Sequence, residues 1–519
     1  MVQVLDCTFR DGGYYTSWDF EPRLADIYMD SVARLPIDHV EVGYVNDRLP
    51  GYYGEYFFLT ADKLKALRAR LRPDQKLLVM IDAKAIEPER VQALFGGLVG
   101  IVDMVRIACA PSQLPRGLAQ ARELKRLGLQ VGFNVMYLST FKDDLGQISL
   151  ATSSPDAYDA LSLVDSYGGV TPKEVTRLFT ELRARMPGFT IGFHGHDNMC
   201  LAFANTLAAI EAGADVVDGT FTGMGRGAGN ARTETILIQM AREGLNAPLD
   251  HQALSAVVAP LEAMQREQGW GTSLPYMISG ANNLPQKDVM DWLAKNRYSV
   301  MSIVQALQRQ GGQEVDRASW PDVSTLGLEA GDMLLIGGGS TVRRHVEAIT
   351  RLVARIDPVV IFSSSRHLDL AGRIGGRQLL CLPGHDAFRA PAAALERVAA
   401  VVVPAPPRVP GCLPEGLSIP VVQAEPFPRE EGQLGPVSDS SPLALALGAA
   451  LGLGGRRCFL VGFDGYDMAS AAEQELSREV QAVLDAFAAH PGGAELSSLT
   501  PTRYRVAQRS IHGLIAEVA

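Results

Sequence analysis

The sequence predicts an α/β architecture: a (β/α)8 TIM barrel over residues 1–245, a helical extension over 246–325 and a second α/β domain over 326–519. Two observations carry the barrel. Eight apolar, β-branched runs recur along the first half of the chain, each apolar enough to be buried on both faces, as a strand in a parallel sheet must be. Between them lie segments such as "ADKLKALRARL" and "PRGLAQARELKRLG", with apolar residues at helical spacing and many Ala, Leu, Arg and Glu. Eight such alternations in about 240 residues fit a closed barrel better than the alternative, a doubly wound open sheet.

Taken in order, the strands end on polar groups. "VQVLDCT" (2–8) leads into Arg10, Asp11, Gly12 and Gly13; "HVEVGYV" (39–45) carries Glu41; "KLLVMID" (76–82) ends in Asp82; and "MVRIACA" (104–110) holds Arg106. "QVGFNVMYL" (130–138) holds Asn134, and "ALSLVDSYG" (160–168) offers Asp165 and Ser166. "TIGFHGHDN" (190–198) supplies His194 and His196, and "ADVVDGT" (214–220) ends at Thr220 before "GMGRGAGNARTE". A barrel builds its site from the C-terminal ends of its strands. Charges pointing into it are costly unless paired or bound to a metal, so their convergence predicts a functional site.

Residues i and i+2 of a strand share a face, so both imidazoles of His194 and His196 point the same way. With Asp11 they make a two-histidine, one-carboxylate set for a divalent cation. Such a set leaves positions open for a bidentate oxygen ligand. Mixed nitrogen and oxygen ligation suits Mn²⁺, Mg²⁺, Co²⁺ or Fe²⁺ better than a closed structural Zn²⁺ site. The alternative makes one histidine a hydrogen-bonded core residue and the other a cap on the next helix.

Bulk properties exclude several classes. Lys+Arg at 48 against Asp+Glu at 58 gives a net charge of −10 with no basic block, which argues against nucleic acid as a partner. The six cysteines, at 7, 109, 200, 381, 412 and 458, form no C-x-x-C pair and read as buried reduced thiols of a cytoplasmic protein. No apolar stretch is long enough to span a membrane.

Beyond the barrel, "DHQALSAVVAPLEAMQREQG" and "PQKDVMDWLAKNRYSVMSIVQAL" read as helices, and "WGTSLPYMISGANN" (270–283) is expected to reach over the site with Tyr276 as a contact. "MLLIGGGSTVRRHVEAI" (333–349) reads as strand, glycine turn and helix, followed by the strand "DPVVIFSSSR" (357–366). That order suggests the first unit of a doubly wound sheet without the G-x-G-x-x-G pattern. Further strands are expected at "QLLCLPG" and "RRCFLVGFDGYD", and a surface loop at "PAPPRVPGCLPEG" (404–416). A phosphate of a nucleotide or sugar at the helix start, with Arg343 and Arg344 nearby, is one expectation for this turn; a tight packing turn or an interaction module is the other. The same two readings, phosphate cradle or glycine packing, apply to "GMGRGAGNARTE" (223–234).

"TFRDGG" and "GFHGHDNMCLAFANTLAAIEAGADVVDGTFTGMGRGAGN", with the spacing between them, resemble the metal-dependent pyruvate aldolases of the HMG-CoA lyase-like (DRE-TIM metallolyase) superfamily, nearest to the 4-hydroxy-2-oxovalerate aldolases. The superfamily also includes the isopropylmalate and homocitrate synthases. The resemblance covers about residues 1–245 and extends towards 300. It implies that Asp11, His194 and His196 bind the metal, with Asn230 a further ligand in the lyase branch. It also implies that Arg10 stabilises an enolate oxygen and that Ser166 holds the pyruvate carboxylate. Manganese is the expected ion, with magnesium or cobalt also suited. The expected partners are a small 2-oxo acid and an aldehyde, and a homo-oligomer is compatible with this reading.

One position departs from the pattern. The similar aldolases place a general-base histidine three residues after the metal aspartate, and here that residue is Tyr14. Either Tyr14 is the base, or proton transfer moves to metal-bound water or to Tyr15, Tyr44 or Tyr137. The implied reaction is a reversible aldol between pyruvate and an aldehyde through a metal-stabilised enolate. The alternatives are a Claisen condensation of an acyl-CoA with a 2-oxo acid, against which "GYYT" replaces the synthases' Glu-Gln pair, and a barrel that serves only as a binding scaffold.

Overall fold

The computed structural model describes residues 2–47, 49–245, 247–295, 300–310, 316–328, 331–384, 392–408, 412–414, 416–428, 441–467 and 471–518. The chain forms two compact units, residues 1–290 and 291–519.

In the first unit eight strands close a barrel: β1 (Gln3–Asp6), β2 (His39–Tyr44), β3 (Lys76–Asp82), β4 (Met104–Cys109), β5 (Gln130–Val135), β6 (Ala160–Asp165), β7 (Thr190–Gly195) and β8 (Val216–Gly219). All neighbours are parallel, and β1 closes on β8 with Gln3 opposite Val216 and Asp6 opposite Gly219. The open-sheet alternative is therefore excluded. Alternation along the strands sorts the side chains into two layers. Val4, Val40, Val105, Ile107, Phe193 and Val217 pack outward against the helices in one continuous core. Leu5, Cys7, Leu78 and Met104 form a separate apolar plug. The charged Glu41, Arg106 and Asp218, all buried, share the inward parity of that plug and stand closer to the strands' C-terminal ends.

The helices His251–Gln268 and Leu274–Ala281 belong to this unit. Asn198 ties the second of them to β7, donating to Tyr276 O at 3.1 Å and Ser279 Oγ at 3.2 Å. Trp270 donates its indole N–H to Thr222 O at 3.2 Å.

The second unit is a parallel sheet in the order β13-β12-β11-β10-β9-β14-β15-β16. Its strands are β9 (Asp332–Ile336), β10 (Val359–Phe362), β11 (Arg377–Cys381), β12 (Ala400–Pro404), β13 (Val421–Ala424), β14 (Arg457–Val461), β15 (Glu495–Ser498) and β16 (Ala507–Gln508). Separate apolar clusters cover its two faces, with the amphipathic helix Val346–Ile356 on one and the wholly apolar Pro442–Gly452 on the other. The order reverses between β9 and β14, and a cavity of about 850 Å³ opens there, lined by Gly338, Ser340, Arg366, Asp464 and Tyr466 among others.

This unit corrects one expectation. The start of the helix after the glycine turn is already held by a carboxylate: Asp464, in the loop after β14, accepts the Thr341 N–H at 3.0 Å and also the Thr341 hydroxyl. A phosphate would have to displace it, so the turn is not a ready phosphate cradle. Arg343 is paired with Asp369 at 2.8 Å. A second correction concerns the thiols, of which Cys200 is exposed and the other five are buried. No helix among the described residues is long and apolar enough to cross a membrane.

Candidate active site

A cavity of about 90 Å³ opens at the C-terminal end of the barrel, lined by residues from all eight of its strands or the segments after them. Arg10, Asp11, Tyr14, Ser166, His194 and His196 all reach it. The first three come from the helix Thr8–Thr16, which follows β1 directly. Asp6 fixes where that helix begins: buried and facing outward, it accepts from the Thr8 N–H at 3.0 Å, the Tyr28 hydroxyl at 2.7 Å and the Thr233 hydroxyl at 2.6 Å. Trp18 then donates its indole N–H to Arg10 O at 2.8 Å.

Each imidazole is oriented through Nδ1. His194 donates it to Asp218 Oδ2 at 3.0 Å, and its Nε2 lies 3.4 Å from Asp11 Oδ2. His196 donates to the Asp165 carbonyl at 3.0 Å, which keeps Nε2 as the free nitrogen. This is how ligating histidines are held: the outer hydrogen bond fixes the tautomer and the inner lone pair is presented. Burial, with His194 and Arg226 nearby, lowers the His196 pKa well below its ordinary value, so the ring is neutral. The reading of one histidine as a helix cap does not hold.

The charges form a buried network. Arg10 Nε donates to Glu41 Oε2 at 2.8 Å, and its terminal nitrogen pairs with Asp11. Arg106 reaches Asp218 at 2.6 Å, Glu41 at 3.4 Å and the Asn134 side-chain oxygen at 3.1 Å. Burial alone would raise the Asp218 carboxyl, but Arg106 and His194 override it and bring its pKa down to about 2. Asp11, Glu41 and Asp218 thus face Arg10 and Arg106 in this network, and a third guanidinium, Arg226, lines the same cavity.

After the two histidines, Asn230 adds a second indication of a cation. Its side-chain nitrogen donates to Asp11 Oδ2 at 2.7 Å, while its Oδ1 is buried without a hydrogen-bond partner, as are Glu41 Oε1 and Asp218 Oδ1. Buried oxygens left unpaired are costly, and a divalent cation beside Asp11 would satisfy the Asn230 oxygen. Among the described residues the one group of His, Cys, Asp or Glu side chains whose ligand atoms all lie within 4.8 Å of one another is Cys7, His194 and Asp218; Asp11, His194 and His196 line one cavity but are more widely spaced than that. In that trio Asp218 Oδ2 is taken by Arg106 and His194 Nδ1 while its Oδ1 is unpaired, and burial keeps Cys7 a thiol with its pKa well above the ordinary value, which makes the sulfur a poor ligand.

Ser166 accepts the Tyr137 N–H at 2.9 Å, leaving its own proton free to donate. Tyr137 holds a left-handed backbone, φ 67°, and lines the cavity. Asp165, one residue earlier, faces outward and accepts from Gly169 and Val170, so it holds the turn rather than the cavity. Among the other tyrosines, Tyr15 donates to Gly227 O at 3.1 Å away from the cavity, and burial raises its pKa to about 12. Tyr44 lines the cavity, and burial together with Tyr14 pushes its hydroxyl well above the ordinary range. Tyr276 is buried against Gly227 and does not line the cavity, contrary to expectation.

Part of the glycine-rich loop is packed on itself. The N–H groups of Gly223, Met224, Gly229 and Asn230 are spent on carbonyls within the loop and its approach. Gly229, at φ 79°, has no room for a Cβ against Gly223 O. Three residues with direct bearing on the site were not singled out from the sequence: Asp218, Lys84 and Arg226. Asp218 was legible as a charge at inward parity on an apolar strand; Lys84 and Arg226 had no such signal.

Comparison with known proteins finds relatives over the barrel. Residues 122–259 match the HMGL-like family. The 4-hydroxy-2-oxovalerate aldolase of Carboxydothermus hydrogenoformans is 31% identical over 274 residues, 51% of this chain and 79% of that protein. An oxaloacetate decarboxylase of Mycobacterium tuberculosis is 30% identical over 258 residues, 48% of this chain and 72% of that protein. Among solved structures, the crystallised N-terminal domain of a candidate aldolase from Bacteroides vulgatus is 41% identical with a TM-score of 0.55, covering 59% of this chain and all of that one.

Proposed function

The chain belongs to the HMGL-like family, and we propose that its barrel is a divalent-metal-dependent aldolase, a carbon–carbon lyase that cleaves or forms a 4-hydroxy-2-oxo acid from pyruvate and an aldehyde. The observation that carries this reading is the convergence of Asp11, His194 and His196 on one cavity beside the unpaired Asn230 oxygen. Those four residues would hold the ion, with Mn²⁺ the expected species. When bound, it supplies Lewis acidity to the 2-oxo acid.

The chain's own groups do the rest. Ser166 donates to the substrate carboxylate, its lone pair already engaged by Tyr137. Arg10, held by Glu41, sets fixed positive charge where the enolate oxygen develops. In the cleavage direction the C4 hydroxyl loses its proton, the C3–C4 bond breaks, and C3 takes a proton to give pyruvate. Tyr14, exposed to the cavity, is the residue assigned to the hydroxyl proton.

A second reading has a specific observation behind it. Decarboxylation of a 2-oxo diacid passes through the same enolate but needs no base for a hydroxyl, and Tyr14 stands where the similar aldolases keep a histidine. The Mycobacterium relative is named for such a reaction.

The test is a panel of 4-hydroxy-2-oxo acids and oxaloacetate with Mn²⁺ present, with pyruvate release coupled to lactate dehydrogenase. A parallel arm contains acetyl-CoA and a thiol reagent. Turnover of a 4-hydroxy-2-oxo acid without thiol release is the expected result. Thiol release would identify the condensing-synthase alternative, and turnover of oxaloacetate alone would identify the decarboxylase.

A further inference from the structure

Three cations line the barrel cavity: Arg10, Lys84 and Arg226. Two are spoken for. Arg10 is held by Glu41 and Asp11, and Lys84 Nζ lies 3.2 Å from Asp82. Arg226 has no carboxylate partner among the described residues. Its guanidinium lies over the Tyr14 ring, 5.6 Å from the centroid, and its Nε is buried with no acceptor.

The loop fixes this arginine firmly. Its carbonyl accepts the Gly229 N–H at 3.2 Å. The next residue, Gly227, sits at φ 63° with the Tyr276 and Gln286 side chains where a Cβ would be. Tyr15 donates to the Gly227 carbonyl from the other side. A half-buried guanidinium on a rigid loop, with an N–H short of an acceptor, is completed by an anion from outside the chain. Its planar fork matches a carboxylate or a phosphate.

Its place in the cavity says which end of the substrate supplies that anion. In the aldolase reading, on which this inference rests, Arg10 and Ser166 serve the pyruvate oxygens, while Tyr14 serves the hydroxyl that becomes the aldehyde. Arg226 stacks on Tyr14. We propose that Arg226 is a specificity-determining residue that selects a carbonyl partner carrying a negative charge, a phosphate or a carboxylate.

The test uses the full chain with Mn²⁺ and two matched pairs of unreactive probes, glycerol 3-phosphate with glycerol and 3-hydroxypropionate with 1-propanol. Calorimetry should detect at least one anionic probe and neither neutral one, with Arg226→Met weakening the anion about tenfold or more. Which anion binds distinguishes a phosphate from a carboxylate partner. In condensation with pyruvate, the kcat/KM ratio of glyceraldehyde 3-phosphate to glyceraldehyde, or of succinic semialdehyde to butanal for a carboxylate, should fall towards one in the variant. Arg226→Lys, which keeps the charge and loses the fork, should lie between the two and serves if the methionine variant does not fold. Absence of binding by both anions, or equal binding by wild type and variant, would overturn the proposal. Probe binding needs no turnover, so failure of the aldolase reading would leave anion binding intact without lyase activity. Failure of this inference would leave lyase activity without charge preference.

Discussion

Replacing Asp218 with Asn tests whether His194 is held as a ligand or merely buried. Asp218 accepts from both Arg106, at 2.6 Å, and His194 Nδ1, at 3.0 Å. Its carboxyl pKa falls from 3.8 to about 2 in the fold. A depressed carboxyl contributes stability that is present above pH 4 and is lost as pH falls through about 2. At 1.36 kcal/mol per unit, that is about 2 kcal/mol. Asn keeps an acceptor of the same shape but loses this charge, so the metal-free variant should be about 2 kcal/mol less stable at pH 7. It should also lose its excess acid sensitivity between pH 4 and 2. The amide no longer enforces the tautomer that presents Nε2, and groups one step behind a ligand typically cost ten- to hundredfold in metal affinity. Thermal melts across pH with calorimetric Mn²⁺ titration measure both effects. An unchanged melting temperature together with an unchanged Mn²⁺ affinity would refute the argument.

His196→Ala should abolish stoichiometric metal after dialysis while the barrel stays folded, because the residue lies at the rim and not in the apolar plug; metal analysis and circular dichroism check this. Arg10→Ala should retain metal but lose about a hundredfold or more in kcat, the usual scale for an oxyanion donor, as steady-state kinetics will read. Gly225→Ala would put a methyl group against the Asn230 amide, so metal affinity should drop with little change in melting temperature, provided that Asn230 is a ligand.

The barrel was legible because its evidence is local: a period-two apolar run and a helical run are each read from neighbouring residues. The same parity argument put His194 and His196 on one face. It was less secure at strand ends, where a single residue decides direction. Asp165 turns out to hold a turn, and Ser166 reaches the cavity. What could not be read was contact between distant segments. The Asp464 carboxylate sits on the helix start at Thr341, more than a hundred residues earlier in the chain, and no pattern around "GGGST" announces it. Tyr276 lies in the expected segment but is turned towards Gly227 by packing. Arg226 became distinctive only once every carboxylate near it was accounted for.

The most direct measurement of the central claim is exchange of the pyruvate methyl protons with D₂O, followed by NMR. It requires only enolate formation at the barrel site and no knowledge of the aldehyde. The account predicts exchange with Mn²⁺ added, none after chelation, and recovery when the ion is restored. Exchange that persists undiminished in the chelated protein, or no exchange at saturating Mn²⁺ and pyruvate, would contradict it.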